Sequence, residues 1–254
     1  MGVREPGRFM IPSWLHILSV LSLVVGFISA AIIALDVWRR PQHMWIMNVV
    51  WPVTALFAGL LALIGYYAYG RAPAHSAAHG ASAAAGMAMS PRDEPPFWVM
   101  VAKGTTHCGA GCTIGDILAE WLVYFVPSVA LWFGWQSIFS DRIFAVWVLA
   151  YILAFAFGIA FQYFTIKPMR SLSVGMGIVA AAKADALSLT AWQVGVYGFM
   201  ALAHFVIFAG VFGARLEVAS PEFWFMMQIA MICGFVTAYP VNWWLIRAGI
   251  KERM

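Results

Sequence analysis

Charged side chains are scarce in this sequence. They make up 10% of its 254 residues, whereas 63% of the residues are hydrophobic and the mean hydropathy is +0.83. A soluble domain carries about 25% charged and about 45–50% apolar residues. The composition therefore excludes an ordinary soluble protein and places the chain in the membrane class.

Cysteine is also scarce. The chain has three cysteines, and an odd number excludes a framework built only from paired disulfides. The cysteines are then free thiols, metal ligands or one redox pair.

The usual catalytic motifs are missing as well. The glycine-containing segment 80–86 lacks the lysine of a phosphate-binding loop, and we find neither a Ser-His-Asp signature nor an HExxH motif. No CxxCH is present, so haem is disfavoured, although His16, His107 and His204 could in principle supply axial ligands. A role other than that of an enzyme is favoured, but the sequence leaves this open.

Long apolar runs are what the chain has in abundance. Runs of 18 or more residues recur, and each can cross a hydrocarbon core of about 30 Å as a helix. The sequence predicts an all-α integral membrane protein, a polytopic bundle of about six transmembrane helices. We place the spans at residues 14–35, 45–69, 117–139, 143–164, 192–211 and 223–246.

Two connections between the spans are long. We treat residues 1–254 as a single transmembrane domain, within which the His/Met/Ala-rich connection 71–96 is expected to be flexible. The connection 167–189 contains a segment, 174–184, that could form a short helix lying in the membrane interface.

The distribution of basic residues predicts an orientation. With six spans, one side carries 11 Lys and Arg and the other carries four. The positive-inside rule then places both termini in the cytoplasm.

The strongest chemical signal precedes the third predicted span. His107, Cys108 and Cys112 lie within six residues of one another, with Asp116 following. Thiolates favour Cu(I), zinc and similar soft ions, and imidazole suits several of them. If Thr113 and Asp116 form a capping box, a helix begins just after Cys112.

If the helix begins earlier, four polar residues fall on one of its faces. Cys108, Cys112, Asp116 and Glu120 are spaced at i, i+4, i+8 and i+12. Three interpretations stay open for the cysteines: metal binding, a thiol redox pair, or small side chains that allow close helix packing.

Methionine and histidine suggest further ligands. The chain has 14 methionines, and Met47, Met227, Met231 and His204 could line an outer path for a soft metal ion. Methionine is also an adaptable apolar filler, so packing is the alternative. His75, His79, Met87 and Met89 could capture metal within the long connection.

Several stretches resemble a bacterial membrane family known as domain of unknown function 4396. They are MIPSWLHILS, PQHMWIMNVVWPVTALF, FWVMVAKGTTHCGAGCTIGD, FGIAFQYFTIKPMR and EFWFMMQIAMICGFVTAYPVNWWLIRAGI. The resemblance covers nearly the whole chain except the connection 71–96. It implies a multi-pass protein of the bacterial inner membrane, and it supplies no activity and no catalytic residues.

The residues lead to one main hypothesis and two alternatives. The main hypothesis is a membrane carrier or binding protein for a soft metal ion, with copper (or zinc) bound at the His-Cys-x3-Cys segment. The alternatives are a membrane thiol, haem or quinone oxidoreductase and a metal-free small-molecule transporter. Expected partners are the lipid bilayer, the metal ion or a small solute, and a cytoplasmic metal donor or acceptor; nucleic acid is not expected.

Overall fold

The computed structural model describes residues 11–42, 44–72, 95–169 and 174–251, and nearly all of them are helical. The helices are α1 (Ser13–Arg39), α2 (Met47–Gly65, followed by a π-helical turn Tyr66–Gly70), α3 (Phe97–Phe125), α4 (Val129–Trp132), α5 (Arg142–Met169), α6 (Val174–Ala201, followed by a π-helical segment Leu202–Phe212) and α7 (Pro221–Arg247).

Five helical segments in this part of the chain are long and apolar enough to cross a membrane. They are Ser13–Arg39, Met47–Gly70, Arg142–Phe164, Asp185–Phe212 and Pro221–Arg247. The helix α3 has 29 residues, so its length of about 43 Å also exceeds the hydrocarbon core, but its glycines and polar residues lower its hydropathy. The predicted helical membrane bundle is thus confirmed in outline.

The segment Met47–Gly70 reverses direction at its middle. Gly59 has φ +50° and ψ −122°, which breaks the helix, and the rings of Trp51 and Tyr66 lie 5.5 Å apart. In a straight helix those two residues would be about 22 Å apart. A side chain on Gly70 would also collide with Trp51. The segment is therefore a helical hairpin whose arms, residues 47–58 and 60–70, each reach roughly half-way across a bilayer.

Polar contacts hold both parts of this hairpin against the bundle. At its base, Arg71 donates to both carboxylate oxygens of Asp36 at 2.8–2.9 Å, and the Tyr66 hydroxyl donates to Asp36 at 2.8 Å. At its tip, the Leu56 carbonyl accepts from Nε2 of Gln228 at 2.7 Å. One carbonyl next to the break is thereby paired with a protein donor, which lowers the cost of a helix break at membrane depth.

The helices α1 and α7 run parallel to each other. His16 and Glu222, near the start of each helix, lie 2.7 Å apart, and Ser22 donates to Gln228 at 2.7 Å. Both helices therefore begin at one end of the bundle, the His16 end, and finish at the opposite end, the Lys251 end. The described part of the chain therefore starts and finishes at opposite ends of the bundle, which differs from the expectation of both termini on one side. The physical reason is that the hairpin returns to the end from which it started.

The remaining helices alternate in direction. Gly111 and Gly115 of α3 pack against Gly158 and Ala154 of α5, so these helices are antiparallel. In the same way, Asn242 of α7 donates to Ser188 of α6. The long helices α1, α3, α5, α6 and α7 thus run between the two ends of the bundle, and the hairpin opens only toward the Lys251 end.

Two predicted boundaries were wrong. The third span was placed at 117–139, whereas α3 runs from Phe97 to Phe125 and ends just before Pro127, which disfavours helix in the residue that precedes it. Residues 174–184 form no separate interfacial helix, because they are the first turns of α6. The predicted flexible connection 71–96 lies almost wholly outside the described residues.

Candidate functional site

The central helix α3 carries the polar residues that sequence analysis singled out. It begins directly after Pro96, so the segment from His107 to Asp116 is helical, and the capping-box interpretation of Thr113 is wrong. The alternative geometry is the one observed. Cys108, Cys112, Asp116 and Glu120 are all buried and share one face, which we call the α3 stripe.

Glycines let the neighbouring helices approach α3 closely. A Cβ atom on Gly109 would collide with the ring of Trp192 in α6. A Cβ on Gly111 would lie 3.1 Å from the backbone nitrogen of Gly158 in α5. Close helix packing, one of the three interpretations of this segment, therefore accounts for its glycines.

The two thiols lie one helical turn apart in the interior. Cys108 and Cys112 are both 0% exposed and follow one another at i and i+4 on α3. Cβ atoms at this spacing are about 5–6 Å apart, so both sulfur atoms can approach one ion between them. The third cysteine, Cys233 in α7, is partly exposed.

A buried ion pair closes the bundle at the Lys251 end. The Lys251 ammonium lies 3.0 Å from Oδ1 of Asp185, and both side chains are nearly inaccessible. Burial lowers the pKa of Lys251, but the Asp185 carboxylate and the thiols of Cys108 and Cys112 raise it, and the pKa ends above its ordinary value. The ammonium is therefore charged and lies near the thiol pair.

Toward the His16 end, the α3 stripe continues with two carboxyl groups. Gln193 of α6 donates to Oδ1 of Asp116 at 3.2 Å. The second oxygen of Asp116 and the amide oxygen of Gln193 are buried without a hydrogen-bond partner. Glu120, one turn further, is 6% exposed. Such groups are costly inside a membrane, and for that reason they are candidates for a functional role.

More polar groups are buried on the helices around the stripe. Asn242 donates to Ser188 at 2.7 Å, and Ser188 lies one turn from Asp185. Gln162 of α5 is 0% exposed, and neither end of its amide has a hydrogen-bond partner in the described structure. Buried polar groups thus extend from Lys251 to Glu120, along most of the length of α3.

Met227 and Met231, the α7 methionines of the predicted outer path, face a side of α3 other than the α3 stripe. Met227 and Met231 line a cavity of about 400 Å³, together with Thr113. The Thr113 hydroxyl contacts the Met231 sulfur at 3.5 Å. Since Thr113 follows Cys112 directly, this face is rotated by roughly 100° from the α3 stripe.

The other predicted ligands lie apart from the thiols. His204 is 3.5 Å from Asp141 at the His16 end, and Met47 packs beside Ile33 and Val50 near the opposite end. His107 is fully buried with its ring 5.9 Å from Phe161. Within the described ranges, no three His, Cys, Asp or Glu side chains are grouped so as to hold a metal ion. The four residues 75, 79, 87 and 89 lie outside those ranges.

Sequence reasoning missed the hairpin and the buried ion pair. Lys251 reads as one more basic residue of the C-terminal tail, and Asp185 lies in the predicted connection 167–189, outside every predicted span. Asp185, Ser188 and Trp192 are spaced at i, i+3 and i+7, so they share one face of a helix. This spacing could have indicated that Asp185 is buried.

The chain belongs to the family described as Domain of unknown function (DUF4396), whose family model matches residues 97–251. This confirms the resemblance drawn from the sequence. The match covers α3 to α7, including the thiol pair and Lys251, whereas α1 and the hairpin precede it. No curated protein and no solved structure matches the chain.

Proposed function

We propose that this member of the family is a membrane carrier or binding protein for a soft metal ion, with copper(I) favoured and Cys108 and Cys112 as its ligands. The observation that carries the proposal is the thiol pair itself. Two fully buried cysteines lie one turn apart on one face of the most central helix.

The number of ligands favours copper over zinc. Structural zinc sites take four ligands in tetrahedral geometry. Cu(I) is selected by soft thiolates, and its chemistry allows two-coordinate binding between two sulfur atoms. The proposal therefore uses the two thiols alone, and Asp116, His107, His204, Met47, Met227 and Met231 are left outside the metal site.

The charge near the thiols is consistent with this assignment. Two thiolates and one Cu(I) carry a net charge of −1, which would be costly in the interior without a nearby cation. Lys251 supplies a buried ammonium with three donors, of which Asp185 accepts one. The ion pair can thus stabilise the loaded site at the Lys251 end.

The α3 stripe is the proposed route to the opposite end. Beyond the thiols it continues through Asp116, Gln193 and Glu120, which offer oxygen atoms in an otherwise apolar bundle. The chain brings no ATP-binding motif, so movement would follow a gradient or a partner. A cytoplasmic donor or acceptor would exchange metal at the Lys251 end.

We further propose that the protein crosses the bacterial inner membrane five times. The N-terminus then lies outside and the C-terminus lies in the cytoplasm. Of the ten described Lys and Arg residues, eight lie at the Lys251 end, and only Arg142 and Arg215 lie at the other. The positive-inside rule makes the Lys251 end cytoplasmic. Single cysteines at Trp38 and Arg71 should both be labelled from the cytoplasm; labelling from opposite sides would contradict the hairpin.

Metal binding is tested by titrating the purified protein with Cu(I) against a competing chelator. We expect one tightly bound ion per chain in the wild type and at least a hundredfold weaker binding in Cys108→Ser/Cys112→Ser, since outer partners alone already change metal affinity by about 10–100-fold. The matched control is Cys233→Ser, which removes a thiol outside the pair.

The same titration distinguishes the alternatives. Full binding by the folded double variant would contradict the proposal. A chromophore in the absorption spectrum of the wild type, without copper, would instead favour an oxidoreductase that uses the thiols. Neither metal nor chromophore would favour a metal-free small-molecule transporter, with the cysteines serving only to pack.

A further inference from the structure

The hairpin leaves a gap in the half of the bundle that lies beyond its tip. Its arms enter and leave at the Lys251 end, so among the described residues no second helix fills the space between α1 and α3 at the His16 end. The cavity of about 400 Å³ occupies this space. Leu56 and Phe57 of the hairpin tip close it toward the middle, and Trp121 and Trp224 stand nearest the His16 end.

The walls of this cavity are apolar. Besides the two tryptophans, the polar lining side chains are Thr113 and Gln228, and both use their polar atoms elsewhere. The indole N–H of Trp224 donates to the Val218 carbonyl at 2.8 Å. The Thr113 hydroxyl donates to the Gly109 carbonyl at 2.8 Å. Gln228 donates to Leu56 and accepts from Ser22. The cavity is therefore almost wholly apolar, and water inside it would find few partners.

The cavity is long enough to hold part of a hydrocarbon chain. It follows α7 from Trp224 to Met231 and α3 from Thr113 to Trp121, which corresponds to about 10–12 Å along each helix. It borders the lipid-facing surface between α1 and α3, where Phe27 lines it while remaining 64% exposed. An occupant can therefore enter sideways from the bilayer.

We infer that the cavity binds one acyl chain of a phospholipid from the leaflet at the His16 end. The position within one half of the membrane, the sideways opening and the apolar lining together select a hydrocarbon chain. The chain fills the space beneath the hairpin tip and packs against Phe57, so that the tip keeps its contact with Gln228. This inference does not depend on metal binding.

Native mass spectrometry after extensive detergent exchange tests the inference. We expect one phospholipid to remain on the wild-type protein. Leu23→Trp places a larger side chain in the cavity and should reduce the retained lipid at least tenfold. The control is Leu21→Trp on the same helix, where the side chain is 57% exposed and points away from the cavity. A wild type that retains no lipid, or a folded Leu23→Trp variant that retains as much, would overturn the inference.

A second measurement uses the wild-type protein, in case Leu23→Trp does not fold. A phospholipid with a photoreactive group at the end of one acyl chain is incorporated into proteoliposomes, and the adducts are mapped. Adducts at Thr113 or Met231 are expected. Adducts confined to outward-facing positions such as Val236, which is 64% exposed, would contradict the assignment. So would rapid reaction of Leu23→Cys with a charged thiol reagent, which would identify a water-filled vestibule.

Discussion

Replacing Lys251 by methionine is expected to destabilise the protein by about 3–5 kcal/mol, because it leaves the carboxylate of Asp185 buried without its partner. The two side chains are 0% and 2% exposed, and they join the C-terminal segment to the start of the span in α6. Thermal unfolding of the purified variant in detergent measures the effect. Hydrogen exchange in the C-terminal segment should rise at the same time.

Two further variants make this result specific. Lys183→Met removes a lysine that is exposed on α6, and we expect little change. Adding Asp185→Asn to Lys251→Met removes the unpaired carboxylate charge and should recover much of the lost stability. If Lys251→Met unfolds at the wild-type temperature, the ammonium does not form the buried pair.

The same ion pair predicts a dependence on pH. Because the pKa of Lys251 is raised in the folded protein, its contribution is fully present below the ordinary lysine value of about 10.4. This contribution is lost only as the pH rises through the higher pKa of the folded protein. The unfolding free energies of the wild type and Lys251→Met should therefore converge in that pH range.

Gly115→Ala is expected to cost about 3 kcal/mol or to prevent assembly, because the added methyl group meets backbone rather than a movable side chain. A Cβ at Gly115 would lie 2.6 Å from the Cα of Ala154 in α5 and even closer to its backbone nitrogen. The helices α3 and α5 would have to separate, which would disturb the packing around the thiol pair.

Gly198 provides the matched control for that substitution. It also lies in a helix, α6, and no atom lies within 4 Å of a Cβ built there. Gly198→Ala should therefore be neutral, or stabilising by up to about 1 kcal/mol through helix propensity. Equal unfolding temperatures for the two alanine variants would show that α3 and α5 are not in close contact at Gly115.

Much of the helical content could be predicted from hydropathy alone. The strongly apolar helices α1, α5 and α7 lie close to the predicted spans at 14–35, 143–164 and 223–246. The face shared by Cys108, Cys112, Asp116 and Glu120 follows from helical spacing once the helix is known to begin early. For this reason the candidate site could be predicted from the sequence, whereas its neighbours in α6 and in the C-terminal segment could not.

The hairpin could not be recognised in this way. Residues 47–70 are as apolar as a span, and hydropathy does not distinguish one crossing from two half-crossings. The reversal rests on one glycine, Gly59, and on the close approach of Gly70 to Trp51. Nothing in the sequence around either glycine distinguishes it from the glycines that merely allow close helix packing. The orientation of α1 depended on this point, since it decides on which side the N-terminus lies.

The opposite error arose at α3. Its Gly, Thr and Cys residues lower its hydropathy, so the sequence placed the span further along, over 117–139. Those small residues are what allow α5, α6 and α7 to pack around it. A helix that is surrounded by other helices can be less apolar than one that faces lipid, because its polar groups are buried in protein.

The central proposal is that the buried thiol pair binds a soft metal ion, and its stronger form is that the pair carries this ion through the bundle. Uptake of Ag(I), a redox-stable substitute for Cu(I), into proteoliposomes tests it most directly, with wild type, Cys233→Ser and Cys108→Ser/Cys112→Ser compared at equal amounts of folded protein. We predict uptake by the first two and background for the double variant. Equal uptake by all three, or none by the wild type, would contradict the claim.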